Sequence, residues 1–174
     1  RYCWGISIGG DISIATGSYS ELDISHNLIH YEPDDRTTDW KGENLISVAS
    51  HMYFSGLWVW AIGGVDTGRI ESNTIVNAPT HAMSIGVEGA GPTRNMEIGG
   101  NILKDCGRMK SWATSTPAYF NILGEIEDVW IRGDNVIIDS GDGMGGAIGH
   151  AVYRASDAAT SLDATNLRID EGPV

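Results

Sequence analysis

Carboxylates recur at one place in this chain. Three or four residues beyond an aliphatic residue of a repeated strand come Asp11, Asp66, Glu88 and Glu125. If those strands stack in parallel, the four carboxylates line up at the end of one sheet. Neighbours then sit about 5 Å apart and next neighbours about 10 Å. Such separations bracket the two carboxyl spacings that hydrolyse glycosidic bonds, with and without a covalent intermediate. Carboxylates this close also raise one another's pKa, which suits a general acid. Asp66, Glu88 and Glu125 are therefore the expected catalytic groups, and Asp11 is expected to line the site. Two other readings stay open: the oxygens could hold Ca²⁺, or all four are solvated turn residues.

A second column bears on binding. Ser7, Ala61, Ser84, Asn121 and Gly149 are expected to point outward from the same strands, and all are small. Small residues in a row floor a groove along which an extended polymer could lie, with Ser84 and Asn121 as contacts. The walls would come from long loops, where binding residues collect on rigid scaffolds. The largest insertion, about residues 31–56, holds Asp34, Asp35, Asp39 and Trp40; a second, residues 107–117, holds Trp112. Trp40 and Trp112 would stack on sugar rings or, equally, pin the loops down. His26 and His30 are four apart but straddle a strand corner, so no zinc site is expected. His51, His81 and His150 flank the first strands. Arg69, Arg94 and Arg132 are candidate bases that no local motif selects. The glycine-rich stretch 141–146 lacks the Lys and following helix of a phosphate loop.

The elements that position these groups are legible as a repeat. Ile24-Ser25-His26-Asn27-Leu28-Ile29 returns as Ile70-Glu71-Ser72-Asn73-Thr74-Ile75 and Ile98-Gly99-Gly100-Asn101-Ile102-Leu103. It returns again as Ile131-Arg132-Gly133-Asp134-Asn135-Val136-Ile137 and, more loosely, over Leu162–Ile169. Such self-similarity marks a solenoid, and alternation on both sides of the Asn makes its elements strands. Another strand precedes each copy: Gly5–Gly10, Val59–Gly64, Ala82–Val87, Tyr119–Gly124 and Gly146–His150. Period-2 alternation turns Ile8, Ile62, Ile85, Ile122 and Ile148 inward there. In the second strand Ile24, Ile70, Ile98 and Ile131 turn inward, while Asp23, Arg69, Glu97, Trp130 and Asp163 turn outward. The third strand adds Ile29, Ile75, Leu103, Ile137 and Ile169 to the core. Asn suits a left-handed corner, and stacked amides can form a ladder.

Asn-cornered coils with glycine-bounded partner strands resemble the right-handed parallel β-helix of the pectate-lyase-like superfamily. The resemblance implies an all-β solenoid of about five coils and three parallel sheets, one domain over residues 1–174. It also implies work on a polysaccharide, as a hydrolase, a lyase or a phage tailspike, in an extracellular setting, secreted or virion-associated. A non-enzymatic spacer or glycan-binding module of an adhesin or virus tail shares the architecture. No catalytic signature of these families is present; Gly149-His150-Ala151 departs from the Gly-His-Gly of galacturonases.

Composition sets the remaining bounds. A formal charge of −12 argues against a nucleic-acid partner, because phosphate contacts need Lys and Arg. No run of 18 apolar residues is available to span a membrane. Cys3 and Cys106 lie about three repeats apart and are expected as separate buried thiols. The repeat opens mid-pattern without a cap at either end. Flanking domains of a longer chain or a homotrimer are expected to cover the ends.

Overall fold

A computed structural model describes residues 5–9, 18–31, 56–60, 63–78, 81–86, 91–106, 118–138, 150–154 and 162–170. These residues form fifteen strands and no helix, so the protein is all-β. The strands fall into successive triplets. The first is β1 (Ile6–Gly9), β2 (Leu22–Ser25) and β3 (Leu28–His30). The next are β4 (Leu57–Trp60), β5 (Gly68–Glu71) and β6 (Thr74–Val76), then β7 (His81–Ile85), β8 (Thr93–Gly99) and β9 (Ile102–Lys104). The fourth is β10 (Ala118–Ile122), β11 (Gly124–Ile131) and β12 (Val136–Ile138). After them come β13 (His150–Arg154), β14 (Leu162–Thr165) and β15 (Arg168–Ile169).

Each of these four triplets gives one strand to each of three sheets. The first sheet runs β1-β4-β7-β10-β13, the second β2-β5-β8-β11-β14 with β15 also on β11, and the third β3-β6-β9-β12. Every pairing is parallel. The arrangement is compatible with a parallel β-helix.

The core is built from columns of like residues. Ile24, Ile70, Ile98 and Ile131 stack in register in the second sheet, and all are buried. Ile29, Ile75 and Leu103 do the same in the third. Each aliphatic side chain so buried contributes about 1.5–3 kcal/mol. These columns supply the driving force, and a one-residue slip would turn every one of them outward.

The Asn corners add a second set of restraints. Asn27 donates from its backbone N and its Nδ2 to Asn73 Oδ1, at 3.1 and 2.9 Å. Asn73 donates likewise to Asn101 Oδ1 at 2.9 and 3.0 Å, and Asn101 to Asn135 Oδ1 at 3.2 and 2.9 Å. The second Nδ2 proton reaches back one triplet, to Ile24 O, Ile70 O and Ile98 O from Asn73, Asn101 and Asn135. The amide therefore ties three consecutive triplets together, and its polar atoms are satisfied where burial demands it.

Four sequence expectations are corrected. The second-triplet strand of the first sheet is Leu57–Trp60, not Val59–Gly64: Val59, rather than Ile62, stands between Ile8 and Ile85. The run Leu57–Ile62 is apolar throughout, so alternation could not set its register. At the end of the first sheet β13 brings Arg154, not Ile148, level with Ile122. Val152 and Tyr153 favour a strand more than the glycine-flanked Ala147-Ile148 does; Ile62 and Ile148 lie outside the described residues.

The left-handed residue at the corner is not the Asn but the one before it: His26 (φ 59°), Ser72 (φ 56°) and Gly100 (φ 62°). The Asn is needed for its amide. Finally, Asn166 is not the fifth rung. Its Nδ2 donates to Asp128 Oδ1, and it shares a left-handed bend with Asn95 (φ 48°) and Asp128 (φ 51°) within the second sheet. Ile169 accordingly pairs with Ile131 in the second sheet, not with the third-strand column.

Replacing Asn101 by Ala removes the partner of Asn73 N, Asn73 Nδ2 and Ile70 O, all in a fully buried site. The expected loss is roughly 2–5 kcal/mol, read from urea unfolding with an unchanged m-value. A loss below about 0.5 kcal/mol would mean the ladder does not stabilise the stack.

Candidate functional site

In-register parallel stacking sets each outward side chain about 4.8 Å from its equivalent. Like charges opposite one another are destabilising, so such a face must alternate. The second sheet does so. Its outward column runs Asp23, Arg69, Glu97, Trp130 and Arg168. The sequence expectation held for the first four members, but the fifth is Arg168 and not Asp163, which pairs with Glu125 instead.

Arg69 donates to Asp23 Oδ2 from Nε at 3.0 Å and Nη2 at 2.6 Å. That bond, with a second from Ser25, holds the Asp23 carboxyl below its ordinary 3.8 and raises the Arg69 guanidinium. Arg168 lies over the Trp130 ring, 4.4 Å from its centroid. Trp130 Nε1 donates to Asp170 Oδ2 and Arg168 Nε to Asp170 Oδ1, both at 2.8 Å. The Trp130 bond first, then the Arg168 bond, lowers the Asp170 pKa.

Arg132 crosses the neighbouring strand. Its Nη1 donates to Glu97 Oε1 at 2.9 Å and to Glu71 Oε1 at 3.2 Å, and its Nη2 to Asp134. Gly99 permits this crossing: a Cβ there would stand 2.5–2.7 Å from the Arg132 side chain. A shallow depression on the same face surrounds Gly68, lined by Glu21, Asp23, Thr67, Arg69, Asn95 and Glu97.

Of the expected catalytic groups, Asp66 and Glu125 fall within the described residues, and they do not stack on one another. Val65 bridges Thr93, and Thr93 pairs with Ile126. Asp66 is thus level with Arg94 and Glu127, while Glu125 lies two residues earlier on β11. Arg94 stands between them. Its guanidinium is raised first by the hydrogen bond from Nε to Glu127, and further by the charges of Glu127, Glu125 and Asp66. The expected line of adjacent carboxylates is corrected at these two members: the strand-to-sheet corner of the second triplet is longer than a fixed offset from the first strand allows. Asp66 Oδ2 accepts from Ser18 Oγ at 2.9 Å. Glu125 is exposed, with Asp163 as its register neighbour on β14.

The expected groove floor also changes. The middle column of the first sheet is Ser7, Trp58, Ser84, Asn121 and Tyr153, with Trp58 in place of Ala61. Trp58, Ser84 and Asn121 are buried, at 1%, 0% and 3% exposure, and Asn121 Nδ2 donates to Ser84 Oγ at 3.1 Å. They are not an exposed floor. Asp11, Asp34, Asp35, Asp39, Trp40, Glu88 and Trp112 lie outside the described residues. Among the described residues no group of three His, Cys, Asp or Glu side chains converges as a metal site would, and no helix is long and apolar enough to cross a membrane.

Trp130, Arg168 and Asp170 form a cluster that sequence reasoning missed. Trp130 was legible as outward, but its partners are 38 and 40 residues away and only the register joins them. No protein-family model, curated protein or solved structure matches the chain.

Asp23 and Asp170 have folded-state pKa values depressed below 3.8, so their stabilising contribution is present above that value. It is lost as the pH falls through the depressed values. In Trp130→Phe the Asp170 carboxyl loses its first-ranked partner. Its titration midpoint, followed by carboxyl NMR, should rise toward 3.8 while that of Asp23 stays put. An unmoved Asp170 would show that Arg168 and the Gly133 backbone N–H set it without Trp130.

Proposed function

We propose that the chain is a right-handed parallel β-helix of the pectate-lyase-like kind that binds a polysaccharide along the outer face of its second sheet and hydrolyses it. The observation that carries this reading is the outer row of β11. Glu125 is exposed and has Asp163 as its register neighbour on the adjacent strand; strands lie about 5 Å apart, a placement that would suit the two carboxylates of a retaining glycosidase. Further along the same strand Trp130 offers an aromatic ring amid carboxylates and guanidinia, the mixture that stacks on a sugar and bonds its hydroxyls. In this reading Glu125 is the general acid and Asp163 the nucleophile. Asp66, two strands away beyond Arg94, contacts a neighbouring sugar. Glu88, Asp11, Trp40, Trp112 and the acidic residues of 31–56 stay assigned to the site from sequence.

Hydrolysis is favoured over β-elimination by the guanidinium groups. An arginine base must lose a proton, yet Arg69, Arg94 and Arg132 all have raised pKa values, each from a carboxylate hydrogen bond. The setting proposed is extracellular, secreted or virion-borne. A rigid, non-enzymatic module of an adhesin or virus tail is the second reading. It is favoured by the same ion pairs, since carboxylates engaged by arginine are already satisfied.

Incubation with capsular glycans, pectin, alginate and neutral glucans should release reducing ends without absorbance from unsaturated sugars. Glu125→Gln should lower turnover by at least 100-fold and leave binding intact, while Trp130→Ala should weaken binding about tenfold. Unsaturated products would replace hydrolysis by elimination. Binding without any product would leave the rigid module.

A further inference from the structure

We infer that the glycan taken by the outer face of the second sheet carries free amino groups, one of them seated as an ammonium ion between Glu21 and Glu97 in the depression around Gly68. The inference rests on the binding face proposed above and not on the hydrolysis.

The depression is the concave part of that face. Its volume is about 590 Å³, within the range of sites that hold small molecules. Leu22 and Gly68, which stand in the inward column of β2 and β5, form its floor. Two outward rows border it. Glu21, Thr67 and Asn95 lie on one side, and Asp23, Arg69 and Glu97 on the other. The second row continues from Glu97 to Trp130 on the next strand. A glycan stacked on Trp130 therefore enters the depression one strand further on.

What it can hold follows from which polar groups are already used. The donors are engaged. Arg69 gives Nε and Nη2 to Asp23. Thr67 Oγ1 donates to Asp66 O at 2.8 Å, and Asn95 Nδ2 donates to the same oxygen at 2.9 Å. Beyond the rim, Trp130 Nε1 is bound to Asp170. The acceptors are open. Glu21 is exposed and has no hydrogen-bond or ion-pair partner among the described residues. Glu97 accepts from Arg132 at Oε1, which leaves Oε2. A carboxylate accepts and cannot donate, so the ligand must bring the hydrogens.

Charge selects among such ligands. The lining holds three carboxylates and one guanidinium, and Asp23 already matches that guanidinium. The arginines described elsewhere on the face, Arg94, Arg132 and Arg168, each carry their own carboxylate. A uronate or sulfated sugar brings acceptors and negative charge. It would meet donors already paired and a field of its own sign, which a chain of net charge −12 reinforces. A hydroxyl can donate, but an ammonium brings three donors and the missing charge.

The test is a titration of ¹⁵N-labelled protein with three hexasaccharides at a pH that keeps amines protonated: β-1,4-linked glucosamine, its fully N-acetylated form, and galacturonate. Glucosamine hexamer should give saturable shifts at Glu21, Thr67–Arg69, Asn95 and Glu97. It should bind about tenfold more tightly than the acetylated form, the effect of two exposed ion pairs. The galacturonate hexamer should bind most weakly. Glu21→Gln, at an exposed position, should reduce the preference for the amine about threefold. Thr67→Lys should abolish it with the fold kept. Raising the ionic strength from about 0.01 to about 1 M shortens the screening length from about 30 to about 3 Å and should erase it. Equal affinity for the amine and its acetylated form, tighter binding of galacturonate, shifts away from the depression, or no binding of any hexamer would each overturn the inference. Hydrolysis of a glycan without preference for amines would overturn it and leave the hydrolase reading. Amine-selective binding with no cleavage would support it and remove hydrolysis.

Discussion

The structure depends on one constraint: each residue lies directly against its equivalent in the next strand of the same sheet, at the spacing of a parallel ladder. The four-membered amide stack, Asn27 to Asn135, enforces it at the corner between the second and third sheets. Each buried amide accepts from the preceding triplet and donates both to a carbonyl there and to the next amide oxygen, so a strand out of step by one residue would orphan several polar atoms at once. The aliphatic columns give the free energy of folding, and the amides decide which alignment receives it.

The same constraint dictates the surface. A stack that sets like over like would concentrate charge unless the sequence alternates, and the second sheet alternates Asp23, Arg69 and Glu97 along one column. Where alternation is interrupted, a glycine lets a long side chain reach over. Arg132 passes across Gly99 to serve both Glu97 and Glu71. The acidic chain thus carries a face on which arginines are engaged and carboxylates outnumber them. Such surface pairs are individually weak, and their joint effect is to orient side chains rather than to hold the fold.

Among the described residues left-handed bends recur in register at three places, besides the glycines Gly64, Gly86 and Gly124 that follow the first sheet. One precedes the ladder Asn, at His26, Ser72 and Gly100. A second falls within the long second-sheet strands, at Asn95, Asp128 and Asn166. The third follows the third sheet, at Asn77 (φ 61°) and Asp105 (φ 53°). Asn and Asp tolerate this conformation for the same reason at every bend, which is why Asn166 reads like a fifth corner and is not one.

The sequence by itself determined the all-β class, the parallel strands, the inward isoleucine columns of the second sheet and the stacking of Asn27, Asn73, Asn101 and Asn135. Those features are periodic and local, so each copy reports on the next. Register in the first sheet, the burial of Ser84 and Asn121, the separation of Asp66 from Glu125 by Arg94, and the Trp130–Arg168–Asp170 cluster were decided only by the tertiary structure. Each turns on how many residues a corner consumes. An extra residue can be absorbed at its corner, as at Gly133-Asp134, after which Val136 still pairs with Ile102, or can move a side chain against its neighbour, as at Asp66, and the hydrophobic pattern does not say which.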